Sequence, residues 1–148
     1  MFTKILVGID GSRAADAAIA HAIELSHGLG SQLLIVSAYE AVSALRSRER
    51  LLEPPEDLQS TINPRVEALA LLQGAVERAR DAGIAEIDSY AREGDAADAI
   101  LDIAEERDCD LIVVGHRGMT GAKRFLLGSV PNKISHYAPC SVLIIRTV

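Results

Sequence analysis

The sequence carries no surplus of positive charge. Its 15 Lys and Arg are outnumbered by 21 Asp and Glu, giving a formal net charge of −6 at pH 7. That balance argues against nonspecific binding to nucleic acid or to an anionic membrane surface. Any bound polyphosphate must be held by local donors and helix ends. Cysteine is scarce too: Cys109 and Cys140 are the only two, without a CxxC or a nearby His pair. No metal signature follows, and a reducing cytoplasm is expected. No apolar run is long enough to span a bilayer, and Met1-Phe2-Thr3-Lys4 leads straight into a strand pattern. Without a signal-peptide pattern or a spanning segment, the expected location is cytoplasmic, with no membrane partner. Also missing are HExxH, a paired-carboxylate arrangement and any marker of a Ser-His-Asp triad. No catalytic residue is assigned.

What is present suits a folded α/β protein. Apolar residues make up 49% of the chain and charged residues 24%, with no low-complexity tract. The length of 148 residues fits one domain spanning 1–148 and is short for two. Lys4 to Asp10, Gln32 to Ala38, Ile84 to Arg92, Asp110 to Val114 and Cys140 to Arg146 read as strands. The third has three charged side chains among its nine and is expected at a sheet edge. Helices are expected over Ala14 to about His27 with Ser12 as cap, and over Pro64 to Ala82 with Asn63 as cap. The first should bury Ala15, Ile19, Ala22 and Ile23, and the second Val66, Leu69, Leu72, Val76 and Ala79. A third opens at Asp95, burying Ile100, Ile103 and Ala104, and a fourth runs from about Val130 to Tyr137. Residues 39–62, with their Arg, Glu and Pro54-Pro55, read as a solvated connector or a mobile loop.

Five strands alternating with four helices predict a doubly wound parallel sheet covered on both faces. In such sheets ligands bind beyond the strand C-termini, where the strand order reverses. With the order 3-2-1-4-5, strands one and four meet there. Asp10 then comes close to Gly115.

The residues at that edge allow more than one chemistry. Gly115-x2-Gly118 and Gly128-Ser129 are two glycine turns around a longer loop, with Ser129 placed to cap the following helix. Turn chemistry alone accounts for one such pair. Two turns, a cap and the switch-point position together favour phosphate binding. The pattern is neither a Walker A motif nor GxGxxG. Asp10 either satisfies the Gly11 and Ser12 amides or bonds a ribose hydroxyl. Ser37 and Ala38 are ordinary strand-end residues, or their backbone reads an adenine edge. Arg117, Lys123 and Arg124 suit charge-assisted bonds to phosphate, with solvated loop charge nearly as good a reading. His116 and His136 read as structural.

Gly115-x2-Gly118-x9-Gly128-Ser129, opened by Lys4 to Asp10 and closed by Pro139-Cys140-Ser141-Val142-Leu143-Ile144, resembles the universal stress protein family. The similarity covers essentially the whole chain, is weakest between Tyr39 and Ile62, and matches the ATP-binding branch. That resemblance implies ATP as ligand, with Mg or Mn. Asp10 would contact ribose, the Ala38 backbone adenine, and Gly115 the ribose. Gly118, Gly128, Ser129 and Val130, with Arg117, would surround the phosphates. It implies a homodimer through the Cys140 to Arg146 strand, and hydrolysis that is slow at best, with cyclic AMP or AMP as alternative ligands. Three functions are thus expected to compete: a nucleotide-binding stress-response regulator, a slow nucleotide hydrolase, and a nucleotide-independent dimeric scaffold. A response-regulator receiver shares the sheet class, but Asp10-Gly11-Ser12 lacks its acidic cluster.

Overall fold

A computed structural model describes residues 1–41, 63–116 and 127–146. In chain order its elements are β1 (Lys4–Gly8), α1 (Arg13–Leu29), β2 (Gln32–Tyr39), α2 (Pro64–Asp81) and β3 (Ile87–Glu93). They continue with α3 (Ala96–Glu106), β4 (Leu111–Gly115), α4 (Ser129–Tyr137) and β5 (Ser141–Ile145). All four pairings are parallel, in the order β3-β2-β1-β4-β5. The expected switch point between β1 and β4 is present. The connector expected over 39–62 lies outside the described residues from 42 onward.

Each face of the sheet has its own core. Ile5, Val7, Leu33, Ile35 and Val113 point to one side, where α1 and α2 cover them. Leu6, Leu34, Val36, Ile112 and Val114 point to the other, against α3 and α4. That alternation of neighbours explains why β1, β2 and β4 read as unbroken apolar runs: both faces are dry. Burying a Leu, Ile or Val side chain in this way is worth about 1.5–3 kcal/mol. β3 is indeed an edge strand, with Asp88 and Ser89 exposed.

The caps are mostly those expected. Ser12 accepts from the Ala15 amide, Asn63 from Val66 and Asp95 from Asp98. Two differences have a structural cause, one a boundary and one a buried face. Ile84 does not begin β3. Gly83, at φ +93°, turns the chain left-handed, and the Ile84 amide returns to the Ala79 carbonyl at 3.2 Å. Ile84 therefore closes α2 in a Schellman stop and packs into the core from there. The buried face of α2 is also rotated from expectation. Ala68, Leu72, Ala75 and Ala79 are buried, while Val66 and Leu69 are 58% and 46% exposed. Small residues let α2 lie close to the sheet, which a Val-Leu stripe would hold off.

At the far end of the sheet from the switch point, Asp110 ties β1 to β4. Its carboxylate accepts from the Thr3 amide at 2.8 Å, the Thr3 hydroxyl at 3.0 Å and the Lys4 amide at 3.0 Å. Burial disfavours the charged form, but these bonds outweigh it, so the carboxyl titrates below its ordinary value. With a lowered native pKa, its contribution is complete above the unfolded value of about 3.9. It fades as pH falls through the native one. Asp110→Ala should lose about 1–3 kcal/mol near pH 7. In urea titrations across pH, the gap between wild type and variant should narrow below about pH 4. A gap constant with pH would contradict this role for the carboxylate.

Candidate functional site

The site is assembled by strand register. β1 and β2 pair as Gly8↔Val36, and β1 and β4 as Val7↔Val113. Continuing those registers two residues puts Asp10 level with Ala38, and Ile9 level with Gly115. An Ile9 amide bond to the Val36 carbonyl, 2.9 Å, carries the first register past the end of β1. Asp10, Ala38 and Gly115 therefore share one edge of the sheet.

Asp10 stands exposed just beyond β1, and its Oδ1 accepts from the Ser12 amide at 2.9 Å. This orders the turn into α1, where Gly11 at φ +83° takes a conformation that L side chains rarely adopt. Ser12 then caps the helix, its hydroxyl accepting from Ala15 at 3.1 Å. The other Asp10 oxygen has no bond among those described, so both roles expected for this residue remain compatible.

Gly115 meets a sharper constraint. A Cβ placed on it would lie 2.6 Å from the Ala14 carbonyl oxygen and 2.7 Å from the Ala14 Cβ. The first turn of α1 thus rests directly on β4. The need for glycine here arises from packing, whatever else approaches from solvent.

Beyond β4 the chain leaves and returns to the same place. The Gly128 amide donates to the His116 carbonyl at 3.0 Å, and the His116 amide donates to Ile145 at 2.8 Å. The two glycine turns are thereby joined at their bases. Arg117, Gly118, Lys123 and Arg124 fall outside the described residues. Gly128, not Ser129, is the N-cap of α4, and Ser129 is its first helical residue. The expectation of a serine cap is therefore corrected: the cap is Gly128, and among the described residues no side chain caps this helix. Gly128 already supplies the extended φ and ψ that a cap needs, so Ser129 falls one position too late to bond back.

The consequence is chemical. The amides of the first helical turn have no intrahelical acceptor. Here Gly128 spends its amide on His116, and Pro131 has none. Among the described residues, Ser129 and Val130 are left as a pair of donors without an acceptor, at the positive end of the helix dipole. Lys133, one turn on, was not singled out by sequence reading. Its ammonium is paired with Asp98 at 2.7 Å and Asp95 at 3.6 Å, chiefly the former pushing its pKa up. These contacts fasten α4 to the start of α3. Among the described residues, no three metal-ligating side chains come together.

A separate cavity of about 470 Å³ opens between α1 and α2, lined in part by Ile9, Ile19, Leu71 and Ala75. It shares Gly11 and Ser12 with the β1–α1 turn, but its described lining includes none of Gly115, Gly128, Ser129 and Val130.

Known proteins with this pattern are numerous. A profile described as the universal stress protein family matches residues 1–146. Universal stress protein YxiE of Bacillus subtilis is 38% identical over 149 residues, covering 99% of this chain and 100% of its own length. Universal stress protein Rv1636 of Mycobacterium tuberculosis is 32% identical, covering 99% of this chain and 97% of its own. A crystal structure of a universal stress protein in complex with cAMP superposes with a TM-score of 0.73. It is 26% identical, with 99% of each chain covered.

These contacts separate three serine and glycine positions by urea denaturation. Gly115→Ala should lose about 1–3 kcal/mol through overpacking against Ala14. Ser12→Ala should lose about 1 kcal/mol with its cap. Ser129→Ala should stay within about 0.5 kcal/mol of wild type in the absence of ligand. A capping-sized loss at Ser129 would contradict the assignment of Gly128 as cap.

Proposed function

The chain belongs to the universal stress protein family, and from that premise we propose that it binds an adenine nucleotide at the β1–β4 switch point. Its role would be that of a stress-response regulator. The observation that carries this reading is the Ser129–Val130 amide pair, without an acceptor among the described residues and held next to His116 by the Gly128 bond at the switch point. A ligand phosphate would accept from both amides. The Ser129 hydroxyl, unused as a cap, would add a third donor. Asp10 would bond the ribose through its unpaired oxygen. The Ala38 backbone would meet adenine, and the Gly115 backbone would lie against the ribose. Arg117 and Gly118 would complete the phosphate contacts from the segment that follows.

ATP with Mg or Mn is the ligand first expected. The chain gathers no metal cage among its described residues, so such an ion would reside mainly on the phosphates. A second reading, cyclic AMP or AMP, is favoured by two observations. Pro131 deletes a third helix amide, and Lys133 is committed to Asp95 and Asp98. Both reduce the charge that α4 can neutralise. The protein of known structure bound to cAMP, noted above, agrees with this alternative. No described group is placed as a general base, and hydrolysis, where present, would be slow.

The working unit would be one cytoplasmic α/β domain paired as a homodimer through Cys140 to Arg146. β5 is an open edge, and its Leu143 is 37% exposed. An apolar edge of this kind calls for cover. No helix among the described residues is long and apolar enough to cross a membrane.

Thermal denaturation with ATP, ADP, AMP and cyclic AMP tests this reading. A ligand at a hundredfold excess over its Kd should stabilise the fold by about 2.7 kcal/mol, a rise of several degrees in Tm. Ser129→Ala and Asp10→Ala should each weaken binding by about tenfold or more, as loss of a hydrogen bond to a charged or ribose group requires. An unchanged Tm with all four nucleotides would sink the proposal and favour the scaffold reading.

A further inference from the structure

The two cysteines, far apart in sequence, are neighbours in the sheet. The β4–β5 register pairs Leu111 with Ser141, and one step back Asp110 faces Cys140. Cys109 is then one strand spacing across and one residue along from Cys140. A regular continuation of the two strands, about 4.8 Å apart with a rise of about 3.3 Å per residue, would set their Cα atoms roughly 6 Å apart. That falls within the range a disulfide spans.

In a regular strand, adjacent register positions point to opposite faces, which would forbid a bond. Here Cys109 precedes the strand. Its amide still bonds the Ala104 carbonyl at the end of α3, at 3.0 Å. It is turned so that its side chain belongs to the α3–α4 core, and Cys140 packs against that same core. Both are free thiols in this structure, Cys109 buried and Cys140 half-buried. Burial, and after it the charge of Cys140, pushes the Cys109 thiol up to about 11. Burial, and after it Asp110, raises Cys140 as well. At neutral pH both thiols are therefore mostly protonated, and oxidation runs slowly, through the small thiolate fraction.

We propose that Cys109 and Cys140 form an intramolecular disulfide under peroxide, a covalent tie between the starts of β4 and β5. Cys140, the more exposed within one chain and the first residue of the proposed dimer strand, reacts first, in the protomer not paired through that strand. Its sulfur attacks one peroxide oxygen, the O–O bond breaks, and the released hydroxide leaves as water with the thiol proton. The Cys109 sulfur then attacks the Cys140 sulfenic acid. The S–S bond forms, and the departing hydroxide takes the Cys109 proton to leave as a second water. Two thiols and one peroxide become one disulfide and two waters, the sulfurs giving up two electrons. The loop so closed is about thirty residues long and holds β4, the glycine loop and α4, so its restraint acts mainly on the unfolded chain.

The site lies at the opposite end of β4 from the nucleotide edge, and the inference does not depend on nucleotide binding. Hydrogen peroxide is added to the purified full-length protein, followed by intact mass and peptide mapping without reductant. The expected product is a monomeric chain lighter by about 2 Da, with Cys109 and Cys140 peptides linked. Its Tm should be several degrees above that of the reduced protein. Dithiothreitol should reverse both changes. Cys140→Ser should show neither, with Cys109 still free. Cys109→Ala, checked for native circular dichroism, should instead accumulate oxidised Cys140. The proposal is overturned if wild type gives Cys140 sulfinic acid with Cys109 unmodified. It is equally overturned by Cys140-linked dimers, or by two thiols that both survive.

Discussion

The first turn of α1 rests on Gly115 so closely that a methyl group there would strike the Ala14 backbone. This contact fixes how far α1 reaches over β4, and through it where the β1–α1 turn stands. Asp10 is held in that turn by its bond to Ser12. A helix held further off would carry Asp10 away from the end of β4. The gap at the switch point is thus set by backbone packing, before any ligand contact is counted.

The second half of the site depends on a different economy of hydrogen bonds. Most helices here spend a side chain on their own N-terminus: Ser12, Asn63 and Asp95 each cap one. α4 does not. Its cap is a glycine whose amide is used to close the loop onto His116. Two helix amides have no acceptor among the described residues, and Lys133 anchors the helix to α3. A helix that forgoes its own cap in this setting is suited to an external acceptor, and phosphate is the acceptor best matched to a helix start.

Much of this was legible in the sequence because both faces of the central strands are dry. Runs such as Leu33-Leu34-Ile35-Val36 have few other structural uses, and alternation with amphipathic helices predicts a doubly wound parallel sheet, for which 3-2-1-4-5 is the order that joins strands one and four. The switch point followed, and with it Asp10 and Gly115. Legibility failed where neighbours decide. Ile84 looks like strand because it is apolar and flanks Ile87, yet a left-handed Gly83 makes it the stop of α2. Val66 and Leu69 look buried by periodicity, but close approach to the sheet selects Ala68 and Ala75 instead. Ser129 looks like a cap by residue type. The bond from Gly128 to His116 moves the helix start one residue earlier, which no local pattern encodes. Lys133 carried no signal, since its partners are more than thirty positions away in sequence.

The central claim is that the Ser129 and Val130 amides receive a ligand phosphate, and amide NMR reads those two groups individually. In a titration of the isotopically labelled protein with ATP, and in parallel with cyclic AMP, at least one nucleotide should shift both resonances strongly downfield. The shifts should saturate at a single affinity, in step with changes at Asp10 and Ala38. Saturating binding that leaves Ser129 and Val130 unmoved, or no saturating change with either nucleotide, would contradict the account.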